Sequence, residues 1–265
     1  MEEALESMSG TSENQVVFYA LEQMNALKNY PKAKMFGEKM RSLYNKDKEA
    51  GNQAFAEVKP LLEFYAKKQV PPAQTFLGYM YYNGEGVKED KAEAMKWYRK
   101  AAEQGFALAQ DNLGDMYWYM YYFGNGVNED KAEAVKWYRK AAEQGYAGAQ
   151  SSLGMKYSHG EGVEEDKAEA VKWFRKAAEQ GHAKAQFGLG IAYYYGSGVK
   201  QDYKTAYMWY CLARLSGYSD ANDNLRELEK GGWFESAKVS YSEANEAEYQ
   251  ARLKYHEIRK RYGLD

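Results

Sequence analysis

Few residues of this 265-residue chain could do chemistry: three histidines, His159, His182 and His256, one cysteine, Cys211, and four G-x-G-V turns. The histidines are scattered, and none meets a second histidine at helical metal-ligand spacing. His159 fills a slot that related segments fill with Asn83, Phe123 and Tyr195. His182 likewise alternates with Phe106, Tyr146 and Tyr218. A catalytic or ligating role would not tolerate such exchange. A lone cysteine beside Trp209 reads as an inert buried thiol, and it cannot form an internal disulfide. The G-x-G turns lack the preceding strand of a phosphate-binding loop and the oxygen-rich ligand order of a calcium loop. No nucleophile–base pair and no paired-carboxylate site emerges. The sequence therefore predicts a non-enzyme with no metal and no cofactor. Lys plus Arg number 36 against 38 Asp plus Glu, so net charge gives no argument for nucleic acid or an anionic membrane. The longest apolar runs fall short of the roughly 20 residues that a bilayer span needs.

The elements behind these turns are repeated. DKAEAMKWYRKAAEQG begins at Asp90, DKAEAVKWYRKAAEQG at Asp130 and DKAEAVKWFRKAAEQG at Asp166, with a degenerate copy, DYKTAYMWYCLARLSG, at Asp202. Trp97, Trp137, Trp173 and Trp209 mark periods of 40, 36 and 36 residues. Each period reads as two helices. Ala94, Trp97, Tyr98, Ala101 and Ala102 form one stripe of the second helix. Asp90 with Glu93 has capping-box spacing, repeated at Asp130/Glu133 and Asp166/Glu169. Gly105, Gly145, Gly181 and Gly217 stand where a helix stop needs positive φ. The first helix of the first pair is expected over about 72–83. The fold class that follows is all-α, a right-handed α/α solenoid.

These residues resemble the Sel-one-like repeat family, relatives of the tetratricopeptide repeats. The pattern is carried by Ala109, Gln110, Leu113, Gly114 and Tyr117, then Gly124, Gly126, Val127 and Asp130. It continues through Ala134, Trp137, Tyr138, Lys140, Ala141, Ala142, Gln144 and Gly145. The match covers roughly residues 70–230 and recurs in register four times. It implies a bacterial-looking protein-interaction scaffold: an adaptor, a host-interaction factor, or an immunity protein that neutralises a toxin or effector. A self-assembling structural module is the alternative. Some secreted relatives carry a cysteine pair per repeat, which this chain lacks.

The expected organisation is a disordered tail at 1–14, an N-terminal helical cap at 15–69, four repeats plus a half repeat at 70–230, and a capping helix at 231–265. Within the cap, helices are expected over 16–27 and 33–43, and 53–69 reads as a worn second helix. Ser240 with Glu243 should open the last helix, which runs to about Tyr262. The acidic start lacks the basic-then-apolar order of a secretory signal, so a cytoplasmic location is expected, or a periplasmic one if a leader has been removed.

The copies also suggest where a partner sits. With Leu77 at zero on a helical wheel, Ala73 and Tyr81 share the packing stripe, while Thr75, Tyr79 and Tyr82 lie about 140–200° away. The corresponding residues are Asp111, Asp115, Trp118 and Tyr122 in the second copy, Ser151, Met155 and Ser158 in the third, and Phe187, Ile191 and Tyr194 in the fourth. They differ between copies and are rich in Tyr, Trp and Met, which protein-binding surfaces favour. The expectation is an aromatic-rich concave protein-binding groove on a monomer or weak dimer. Four additional residues near Tyr117–Met120 predict a first helix longer by one turn, with Trp118 as an aromatic knob.

Overall fold

The computed structural model describes residues 48–123, 131–230 and 239–262. Among them are eleven helices and no strand. They are α1 (Lys48–Lys67), α2 (Pro71–Asn83), α3 (Lys91–Glu103), α4 (Ala107–Phe123), α5 (Lys131–Glu143), α6 (Ala147–His159), α7 (Lys167–Ala178), α8 (Ala183–Tyr195), α9 (Tyr203–Leu215), α10 (Ala221–Lys230) and α11 (Tyr241–Tyr262). The pairs α2/α3, α4/α5, α6/α7 and α8/α9 are the four repeats of an α/α solenoid. The chain forms two compact units, one ending at Leu113 and one starting at Gly114. The tail at 1–14, the two helices expected before residue 44 and the Asp130 cap lie outside the described residues.

Helix starts follow the sequence. Asp90 Oδ1 accepts the Glu93 N–H at 2.9 Å, Asp166 that of Glu169 at 2.8 Å and Asp202 that of Thr205 at 3.1 Å. The reciprocal half of the capping box does not form there. Lys96 and Lys172, one turn on, draw the Glu93 and Glu169 carboxylates into ion pairs at 2.9 and 2.8 Å. At α11 the box is complete: the Ser240 N–H donates to Glu243 Oε2 at 2.9 Å, and the Glu243 N–H returns to Ser240 Oγ at 3.3 Å. The four helix-stop glycines take φ of 85°, 89°, 87° and 93°. The first helix of the second repeat has 17 residues against 13 in the others, the extra turn the insertion predicts.

Two devices hold the layers together. The repeated glutamine uses its buried side chain as a cap. Gln74 donates to the Ala66 carbonyl and Gln110 to Ala102 in the first unit; Gln150 donates to Ala142 and Gln186 to Ala178 in the second. Each adds a second bond to a carbonyl at the end of the preceding helix that already accepts a backbone N–H from the turn, and so ties one hairpin to the next. The glycine of the L-G pair lets an aromatic ring lie on the first helix. A Cβ on Gly114 would stand 2.7 Å from the Tyr138 ring, and one on Gly154 2.8 Å from Phe174. The small side chain there is a packing requirement, not a turn requirement. Of the stripe the wheel predicts, Ala73 and Leu77 are fully buried, as are Leu113, Leu153 and Leu189, while Tyr81 is only half-buried.

Candidate protein-binding surface

The predicted stripe divides in two. Its first-turn members are not surface. Thr75, Asp111 and Ser151 are buried, and Thr75 Oγ1 donates to the Pro71 carbonyl at 2.8 Å. Phe187 is half-buried against Tyr210 and Tyr218, with ring centroids 5.4 and 4.8 Å away. The reason is the hairpin itself. The first turn of each first helix follows a tight turn from the preceding second helix, to which the neighbouring glutamine ties it. That enclosure covers a sector that a wheel of one helix leaves open.

The middle slot is surface. In the second unit, Asp115 on α4, Met155 on α6 and Ile191 on α8 occupy the same position of successive first helices, and all three are exposed. Met155 keeps 46% and Ile191 36% of its area accessible. The last-turn slot is half-buried: Trp118, Ser158 and Tyr194 here, Tyr82 in the first unit. Tyr194 packs edge-on to Tyr195 and Tyr203. In the first unit Tyr79 donates its hydroxyl proton to Glu85 Oε1 at 3.2 Å, and the Lys91 ammonium lies over the Tyr82 ring. The Tyr122 side chain lies outside the described residues.

A polar cluster joins this surface. The Tyr138 hydroxyl donates to Asp115 Oδ1 at 2.7 Å. Asp115 is open to solvent on one side, yet the wall behind it removes hydration. Desolvation raises its carboxyl pKa, against the opposing pull of the Tyr138 bond and of Lys156 and Lys184. Lys156 stands in a slot that is Met80, Met116 and Ala192 elsewhere, all buried. Its side chain is only 7% exposed and pairs with Glu161 Oε2 at 3.1 Å, with its ammonium over the Trp118 ring. Burial lowers the Lys156 pKa, and Glu161 opposes the shift. The sequence reading passed over Lys156, although a lysine in a Met/Met/Ala slot was a visible signal. Trp118, on the turn that lengthens α4, is therefore less a projecting knob than the lid of a buried cation.

No group of three or more His, Cys, Asp or Glu among the described residues could hold a metal ion. Burial pushes the Cys211 thiol pKa up to about 12, the reverse of an activated nucleophile. No described helix is long and apolar enough to cross a membrane.

The Sel1 repeat profile matches residues 71–106, 107–146, 147–182 and 183–218. The chain belongs to the Sel1 repeat family. A Sel1 repeat protein from Oxalobacter formigenes is 34% identical with a TM-score of 0.58, over 82% of this chain and 84% of that one. A protein of uropathogenic Escherichia coli, c5321, described as a protective antigen with this repeat fold, is 30% identical with a TM-score of 0.67. That alignment covers 96% of this chain and 50% of c5321, so the chain spans half the length of that relative. An immunity protein of Pseudomonas aeruginosa, Pa5087, aligns at 20% identity and a TM-score of 0.47, over 77% of this chain and 74% of that one. No curated protein matches in sequence. The four matched segments coincide with the helix pairs α2/α3, α4/α5, α6/α7 and α8/α9.

Proposed function

We propose that this Sel1 repeat protein is a non-catalytic binder of another protein, using the exposed first-helix slot of its second unit. The observation that carries the reading is the contrast between faces. On the second helices α5 and α7 the copies are nearly identical; on the first helices, Asp115, Met155 and Ile191 differ while remaining exposed. Packing does not dictate such residues, and two of the three are apolar. Trp118 over Lys156 supplies a rigid aromatic beside them, the kind of residue that concentrates binding energy. Thr75, Asp111 and Ser151 contribute through the hairpin fold, and Tyr79 and Tyr82 hold the corresponding slots of the first unit. The partner we favour is a toxin or effector whose action the chain blocks, as the family resemblance implies. An adaptor role toward a host or assembly protein is the second reading.

The test is a co-purification from native cells with the intact chain and with Met155→Asp/Ile191→Asp. A partner that is retained by the first and lost by the second, with both proteins melting alike, supports the proposal. If the double variant keeps every partner, the slot is not the binding surface. Inhibition of the captured partner's activity separates the immunity reading from the adaptor reading.

A further inference from the structure

The outer face of α11 carries a second surface. Its inner face, with Ala247, Ala251 and Ile258, is buried. On the opposite side Ser242, Glu246, Tyr249, Leu253, His256 and Lys260 are all exposed, at intervals of 4, 3, 4, 3 and 4 residues. That alternation keeps one straight stripe along a helix and is the spacing of a helix–helix seam. Its centre is apolar: Tyr249 retains 56% and Leu253 48% of its area exposed. An exposed helix face is normally polar, and this centre departs from that. The flanks are charged with opposite sign. Glu246 lies on the N-terminal side of the apolar pair, and Lys260, with the hydrogen-bonding ring of His256 before it, lies on the C-terminal side.

We infer that this stripe pairs with the same stripe of a second copy, the two α11 helices running antiparallel about a two-fold axis near residue 251. In that register Tyr249 meets Leu253 of the partner subunit, and Leu253 meets the partner's Tyr249. Glu246 then faces the partner's His256, and Ser242 faces the partner's Lys260. One rotation thus satisfies every position, as a self-complementary interface requires. A parallel pair would instead set like charges together. The Arg252–Glu248 and Arg261–Glu257 ion pairs within the helix, at 2.8 and 2.6 Å, do not involve the stripe, and Glu246 Oε1 accepts from Gln250 of its own helix at 2.9 Å. A seam of 22 residues is about 33 Å long and, as a single helix pair, buries less than the roughly 1,600 Å² of a standard interface. The dimer is therefore weak and reversible.

Sedimentation velocity on the full chain, from low micromolar to submillimolar concentration, tests this. A concentration-dependent dimer is expected, and Leu253→Glu should weaken it at least about tenfold without lowering the melting temperature. Glu246→Lys should weaken it too, and adding His256→Glu with Lys260→Glu should restore it, because the exchange reverses both sides of the symmetric pairing. A chain that stays monomeric throughout, or a dimer indifferent to Leu253→Glu, overturns the inference. So does a dimer that the charge exchange fails to restore, since the antiparallel register would then be wrong.

Discussion

The second helices α7 and α9 occupy the same place in successive repeats, yet their outer faces are built differently. On α7, Trp173 is covered by its own Lys176, whose ammonium stands 3.8 Å from the ring centroid. Lys140 covers Trp137 in the same way on α5 at 4.0 Å. On α9 the position three residues after Trp209 is Leu212, fully buried with Cys211 and Ala213. The cation over Trp209 comes from Lys254 of α11, 5.4 Å from the ring centroid. The indole needs a cover in either setting. Where water follows, the helix supplies a lysine whose stem is apolar and whose head is charged. Where the chain returns, apolar residues admit the docking helix, and that helix brings the charge. The degeneracy of the fourth copy is thus an adaptation to α11.

The largest break should come at the indoles themselves. Trp173→Ala and Trp209→Ala should each cost about 3–5 kcal/mol in denaturant unfolding. Only Trp209→Ala should also speed amide exchange across α11. Next comes Leu212→Lys, which gives α9 the residue of its sister helices. It places a charge where α11 packs and should cost about 3 kcal/mol, whereas the mirror change Lys176→Leu should stay within about 0.5 kcal/mol. Equal effects of those two substitutions would erase the contrast. Lys156→Met, which restores the residue of the first two repeats, should raise stability by about 1–2 kcal/mol while weakening partner binding.

Asp202→Ala removes the N-cap of α9 and should cost about 1 kcal/mol at neutral pH. Burial acts to raise the Asp202 pKa, but the bonds from Thr205 outweigh it and hold the value below the ordinary 3.8. The folded carboxyl is the stronger acid, so the cap's contribution is complete above that ordinary value and fades as pH falls through the lowered one. Parent and Asp202→Ala curves of stability against pH should converge in acid. Lys176→Ala, which removes both the cation and the apolar stem from the indole, should cost about 0.5–1 kcal/mol by thermal melting.

Much of the fold was legible in the residues because each copy checks the others. Period, caps, stop glycines and the longer α4 all came from side chains whose local role is decided within one hairpin. The surface was only partly legible. A wheel of one helix placed Met155 and Ile191 correctly, but Thr75, Asp111 and Ser151 are hidden by the preceding second helix, which no single-helix projection includes. Lys156 was missed because the reading followed the stripe away from the core, while this charge sits on the core side and is neutralised by Glu161 of the following turn. The role of Gln150 was likewise invisible, since its bond reaches back into the preceding repeat.

That glutamine has a mechanical consequence. The Gln150 amide donates to Ala142 behind it, and its oxygen accepts from Gln180 at 2.8 Å. Gln186 then repeats the backward bond onto Ala178. Amides so linked form a spine along which load passes from one hairpin to the next. The second unit, stretched along its repeats, should yield in hairpin-sized steps, each released when one rung of the spine gives way.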